Sequence, residues 1–306
     1  MSSVSNNVIL TNDGKKYEKA TLAKTTCAVL SANFANNAVK KTGANISSAL
    51  MKNLLDSKIN PADFKEYAKK AFENSGLKEK GVKFIQAGNK NEKEIAEMAE
   101  KELPKFLDKI PFVKNFVKNL TIGNMFLANE GMNAFYYAKG KNIFVNMDSK
   151  MAFSAFHEMG HGLMYNKKAL GSILRGSRML QPVIATATLL CTLLKREKVE
   201  GEEPKNAFDK ATTFVKNNCA KITLLSYAPL LFDEALASIK GYNLAQATGL
   251  AKDKLKQLAK LQGKAFSTYA MLAMGATLGV KIASLVRDKI TKPKEIEENP
   301  IDKKAS

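Results

Sequence analysis

Three side chains that build most protein sites are scarce in this chain of 306 residues, which holds two histidines, three cysteines and four arginines. The cysteines, Cys27, Cys191 and Cys219, form no short-spaced pair. That spacing argues against a disulfide framework and a cysteine-based zinc knuckle, and a reducing compartment is expected. The arginines are Arg175, Arg178, Arg196 and Arg287, among 48 basic residues in all. A formal charge of +19 and a pI near 9.6 would suit an anionic partner. Nucleic-acid readers, however, usually rely on arginine's planar fork, so composition favours solvated lysine faces or a membrane surface and no nucleic acid. The N-terminal stretch also lacks the basic start, long apolar centre and cleavage site of a secretory signal, so the bulk of the protein is expected on the cytoplasmic side.

No internal repeat stands out. Residues from about 17 to 120 read mainly as amphipathic helices, among them "PADFKEYAKKAFENSG", with Pro61 at its start and Gly76 at its stop. A short strand is expected in "GVKFIQAG". The run "GMNAFYYAKGKNIFVNM" then brings together two aromatic and β-branched segments around a turn at Lys139 and Gly140, the pattern of a β-hairpin. Asp148 or Ser149 can cap the helix that follows, by accepting from the free N–H groups of its first turn. These readings give a mainly α, α+β chain in three parts: an N-terminal helical region at 1–125, a domain with apolar helices at 126–287, and a charged, disordered tail at 288–306.

Three stretches, residues 179–194, 222–232 and 265–280, carry no charged residue, and each contains threonine or glycine. A helix of about 16 residues covers roughly 24 Å, short of the roughly 30 Å of a hydrocarbon core unless flanking cations snorkel. Arg178, Lys195, Lys264 and Lys281 stand at the right places to do so. Short membrane-inserted helices and buried core helices both fit this pattern.

Both histidines fall in "FHEMGHGLMYN". On a helix, His157 and His161 lie one above the other and can turn two imidazoles toward one ion, while Glu158 reaches a water bound to it. Chance places two histidines four apart about once in 150 chains of this length, and with the glutamate about once in a few thousand. The arrangement therefore reads as a zinc site with Glu158 as general base. Catalytic zinc takes three protein ligands. No histidine remains, and Lys167 stands where an extended three-histidine pattern would place its third. A carboxylate is expected, either from the group Glu197, Glu200, Glu202, Glu203 and Asp209 or from the pair Asp233 and Glu234. The pair is the better candidate, because a carboxylate beside an apolar helix is costly to bury unless a cation compensates it.

From Asn133 to about Asn243 the sequence resembles the bacterial membrane-associated zinc metallopeptidases of the gluzincin type, and within them the membrane neutral zinc metallopeptidases. The matching segments are "NAFYY", "HEMGH", "LRGSRMLQPVIATATLLCTLL" and "YAPLLFDEALAS". The last is similar to a Glu-x-x-Ala-Ser, met here by Glu234, Ala237 and Ser238. The resemblance implies zincin-like active-site helices and zinc held by His157, His161 and Glu234. It also implies a peptide or protein substrate lying along an edge strand at Asn133, Ala134, Phe135 and Tyr136. Where those enzymes carry an aspartate and an arginine pair after the ligand, this chain has Leu236, Ile239 and Lys240. Tyr242 is the candidate oxyanion stabiliser, with Tyr227 and Lys240 as alternatives. The expected function is a zinc-dependent endopeptidase at the cell membrane, its catalytic region on the cytoplasmic side. The rival is a membrane-surface scaffolding protein with a vestigial zinc site.

Overall fold

Aromatic and β-branched residues cluster only in brief runs, and helices make up 71% of the structure. The computed structural model describes residues 8–55, 58–103, 108–109 and 111–297. Two strands come first, β1 (Val8–Leu10) and β2 (Lys16–Glu18), followed by the helices α1 (Leu22–Leu55) and α2 (Ala62–Asn74). Next are β3 (Lys83–Gln86), α3 (Glu92–Glu102), α4 (Pro111–Asn129), β4 (Ala134–Tyr137) and β5 (Asn142–Val145). A 3₁₀ turn at Lys150–Phe153 leads into α5 (Ser154–Tyr165). The chain continues with α6 (Lys168–Leu194), α7 (Ala207–Asn217), α8 (Cys219–Ala247), α9 (Lys252–Thr291) and β6 (Lys294–Glu295). This is an α+β architecture, mainly α.

The chain divides into two compact units, each assembled from separated stretches. One draws on Ser47–Arg178 and Pro229–Ala270, the other on Met1–Ile46, Met179–Ala228 and Met271–Ser306. The sequence-based divisions at 125 and 287 do not coincide with this partition, because α1, α6, α8 and α9 each contribute to both units. Asp288 to Thr291 continue α9, and Lys294 and Glu295 pair with β2 where a structureless tail was expected; residues 298–306 lie outside the described residues.

In the first of these units, β5 lies between β3, its parallel partner, and β4, its antiparallel partner. Phe135 opposes Phe144, and their rings stack at 5.4 Å. Glu102 holds the hairpin turn by accepting from the backbone N–H of Gly140 at 2.9 Å and from Asn142. Ser149 starts the 3₁₀ turn by accepting from the backbone N–H of Met151 at 3.1 Å, the expected cap. The core beneath is built by Phe64, Phe153, Phe156, Met159, Leu258 and Leu261, all buried. Each large side chain contributes about 1.5–3 kcal/mol on leaving water. Gly76 ends the segment after α2 with φ +68°, a conformation that costs glycine little.

In the other unit, β1, β2 and β6 form an antiparallel sheet, with Ile9 opposite Tyr17 and Tyr17 opposite Glu295. α1 and α9 approach so closely that a Cβ on Gly43 would lie 3.0 Å from the Cα of Gly275. Among the described residues, three helices are long and apolar enough to cross a membrane: Ala169–Leu194, Cys219–Ala247 and Lys252–Thr291. Only 18, 28 and 39% of their apolar windows is buried, which is consistent with membrane association. Leu180, Val183, Leu190, Leu225, Leu278 and Leu285 are exposed along them.

Candidate metal centre

α5 is apolar on almost every side, so it packs as a core helix and carries its few polar groups inward with it. His161 and Glu158 are 5% and 6% exposed, and only His157 and Leu163 on this helix are half-buried. Buried polar groups need partners, and α8 supplies them. A Cβ on Gly160 would fall 2.1 Å from the Ala237 carbonyl oxygen, and one on Gly241 would fall 2.3 Å from that of Phe156. Glycine at 160 and 241 with alanine at 237 therefore lets α5 and α8 meet backbone to backbone, and that contact sets the acids of α8 against the histidines.

His157 Nε2 stands 3.0 Å from Glu234 Oε2, and His161 Nε2 stands 3.6 Å from the same oxygen. One ligand atom from each of the three residues lies within 4.8 Å of the other two. On the far side of the rings, His157 Nδ1 meets the Ser238 hydroxyl at 3.0 Å, and that hydroxyl donates to the Glu234 carbonyl at 3.0 Å. His161 Nδ1 lies 3.5 Å from Asp233 Oδ1, with neither atom in a hydrogen bond. Arg178 reaches both acids, contacting Asp233 Oδ2 at 3.0 Å and donating to Glu234 Oε1. It also donates to the Tyr165 hydroxyl at 2.9 Å, and Tyr165 donates to Asp233.

Charge decides what such a cluster accepts. Three buried carboxylates, those of Glu158, Asp233 and Glu234, face one arginine. Burial pushes the Glu158 carboxyl above its usual range, with His157 and His161 opposing the shift. Burial disfavours the charged His161 ring, yet Asp233 and Glu234 outweigh it and lift its pKa to about 10. The same surplus of negative charge that holds a proton there also favours a divalent cation. Two imidazole nitrogens and one carboxylate oxygen suit zinc, and each imidazole has an oxygen behind it, the support that ligating histidines ordinarily have. The donor set of His157, His161 and Glu234 fits a metal ion on the Nε2 side of the rings.

A cavity of about 50 Å³ opens beside His157 and Glu158, lined also by Asn133, Ala134, Gln262 and Tyr269. β4 is the edge of its sheet among the described residues. Asn133 and Ala134 face the cavity, Phe135 packs with Phe144 away from it, and Tyr136 packs against Tyr165 with ring centroids 5.8 Å apart. Tyr242 does not line this cavity. It packs against the core and lines a separate pocket with Ser238, Ile239 and Phe266, because Gly241 is spent on the contact with α5 and turns the next side chain elsewhere. Lys240 does not line the cavity either, and Tyr227 belongs to the other unit.

Arg178 departs from the snorkelling role expected of it, since its guanidinium is committed to Asp233 and Glu234. Leu236, found where the resemblance places an aspartate, packs beside Met164, Tyr165 and Ala237; Asp233 and Ser238 back the two imidazoles instead. Gln262 was missed, and its only sequence signal is a polar residue inside a long helix. No family model, no curated protein and no solved structure matches this chain.

Proposed function

We propose that this chain is a zinc-dependent endopeptidase acting on peptide or protein substrates at a membrane. The observation that carries the reading is the convergence of His157 Nε2, His161 Nε2 and the Glu234 carboxylate within 4.8 Å, beside a carboxylate, Glu158, left over for proton transfer. Zinc, when bound, supplies Lewis acidity and brings the pKa of its water toward about 7. His157, His161 and Glu234 hold it, while Ser238 and Asp233 orient the two rings. Glu158 takes the proton of the attacking water and returns it to the leaving amine, a task suited to a carboxyl whose proton affinity burial has raised. The peptide adds a strand to the edge of β4, and Asn133 and Ala134 lead it to the cavity. Gln262 and Tyr269 take the place that the sequence assigned to Tyr242: Gln262 Nε2 is a buried donor without a partner and suits an oxygen that gains negative charge.

The apolar helices and the net charge of +19 favour the cell membrane, with the catalytic unit on the cytoplasmic side facing anionic lipid. The deciding experiment is metal analysis of the purified protein together with a casein-cleavage assay. Zinc near one per chain with cleavage that Glu158→Gln abolishes supports the reading. Zinc without cleavage leaves a scaffolding protein with a vestigial site.

A further inference from the structure

In the unit that contains β1 and β2, a second pocket of about 430 Å³ lies where α6 ends. Six cationic side chains line it: Lys19, Lys195, Arg196, Lys198, Lys205 and Arg287. Only two carboxylates join them. Asp209 takes up Lys195 and Lys198 at 2.5 and 2.6 Å, and Glu202 takes up Arg196 at 2.6 Å.

Arg287 is the informative member. It is 3% exposed, and its Nε–H donates to the Leu193 carbonyl at 2.9 Å while Nη1 donates to the Thr291 hydroxyl. Both acceptors are neutral, and it forms no ion pair among the described residues. Its neighbour Asp288 is engaged by Lys216, itself 2% exposed, and by the Glu197 backbone N–H at 2.9 Å. A buried guanidinium with no direct ion pair, whose nearest carboxylate, Asp288, is shared with Lys216, is costly, and an anion in the pocket would relieve it.

The surroundings say which anion. Leu194 ends a helix apolar enough to cross a membrane and is 70% exposed; Phe208, on the pocket's other wall, is 74% exposed, and Leu190 one turn back is 51% exposed. A soluble anion would use the cations and leave these side chains in water. A phospholipid uses both, with its phosphate among the basic groups and its acyl chains along the apolar ones. Basic pockets at the ends of membrane helices bind lipid headgroups in this manner. We propose that this pocket binds the phosphate headgroup of an anionic phospholipid. The proposal does not depend on zinc or on peptidase activity.

Thermal-shift titrations of the full chain in non-ionic detergent test it, using dioctanoyl phosphatidylglycerol, dioctanoyl phosphatidylcholine and inorganic phosphate as separate probes. The anionic lipid should stabilise at concentrations at least tenfold below those needed of the zwitterionic lipid, with phosphate alone far weaker. Lys205→Gln, at a surface position, and Arg287→Gln should each weaken the anionic lipid about fivefold, the effect of about 1 kcal/mol per charge. If Arg287→Gln does not fold, Lys205→Gln carries the test. Equal response to the two lipids, phosphate matching the anionic lipid, or wild-type affinity in Lys205→Gln would each overturn the proposal.

Discussion

At the scale of single residues, the two adjacent acids of α8 divide between two tasks. Glu234 turns its carboxylate to both Nε2 atoms, whereas Asp233 sits behind His161 and under Tyr165 and Arg178. Neighbours on a helix point about 100° apart, so the pair cannot face one ion alike. Glu234→Ala is therefore expected to abolish tight zinc binding, as are His157→Ala and His161→Ala. Asp233→Ala is expected to weaken it by about 10- to 100-fold. Zinc titration of the four variants checks this, and metal lost from Asp233→Ala but kept by Glu234→Ala would reverse the assignment. Glu158→Gln should keep its zinc and lose turnover by about 10² or more, read from casein cleavage against metal content. These residue types were legible in the sequence because His157, Glu158 and His161 lie within one turn and a third of helix. The partnership of Ser238 with His157 and that of Arg178 with the two acids were not, since each joins residues brought together only by packing.

Among elements, the contact of α5 with α8 matters most. A methyl group at Gly241 would meet the Phe156 carbonyl at 2.3 Å, against backbone that cannot swing aside. Gly241→Ala should cost about 1–3 kcal/mol or more of stability, as overpacked cores do, and should lower zinc affinity although every ligand remains. Gly123→Ala, in α4 with open space around it, should be neutral or stabilise by about 0.5–1 kcal/mol. Denaturant unfolding of both variants checks the contrast. A second tie, between α3 and α4, responds to pH. Lys114 and Lys118 hold the Glu100 carboxylate down to about 2 from 4.5. A carboxylate depressed in the folded state contributes its stability above its unfolded value and loses it as pH falls through the folded one. The stability difference between the wild type and Glu100→Gln should thus be full above pH 4.5 and shrink toward pH 2. A difference constant over that window would exclude the role. The hairpin and the strand at Lys83–Gln86 were readable from local patterning. The close approach of α5 and α8 was not, because glycine and alanine carry no periodic signal of what they touch.

For the whole molecule, the exposed apolar windows of three helices lead to a prediction about fractionation. If they enter the bilayer, the protein stays with membranes through a high-salt wash, which removes proteins held by charge alone. Release by salt would leave only surface attraction. Composition already marked the apolar stretches. It could not show that residues 16–18 pair with 294–295, since strand partners so distant leave no trace in either segment.

The cavity beside Glu158 measures about 50 Å³, well below the roughly 300 Å³ at which ligand pockets begin. For the proposed peptidase, a cavity of this size would be secured by default, since a polypeptide would enter only on its opening. Met51 and Met151 stand in its wall, and their unbranched thioethers rearrange more readily than any branched side chain. Cleavage would then be metered by how often that wall parts, and proteins passing at random through the cell would be spared.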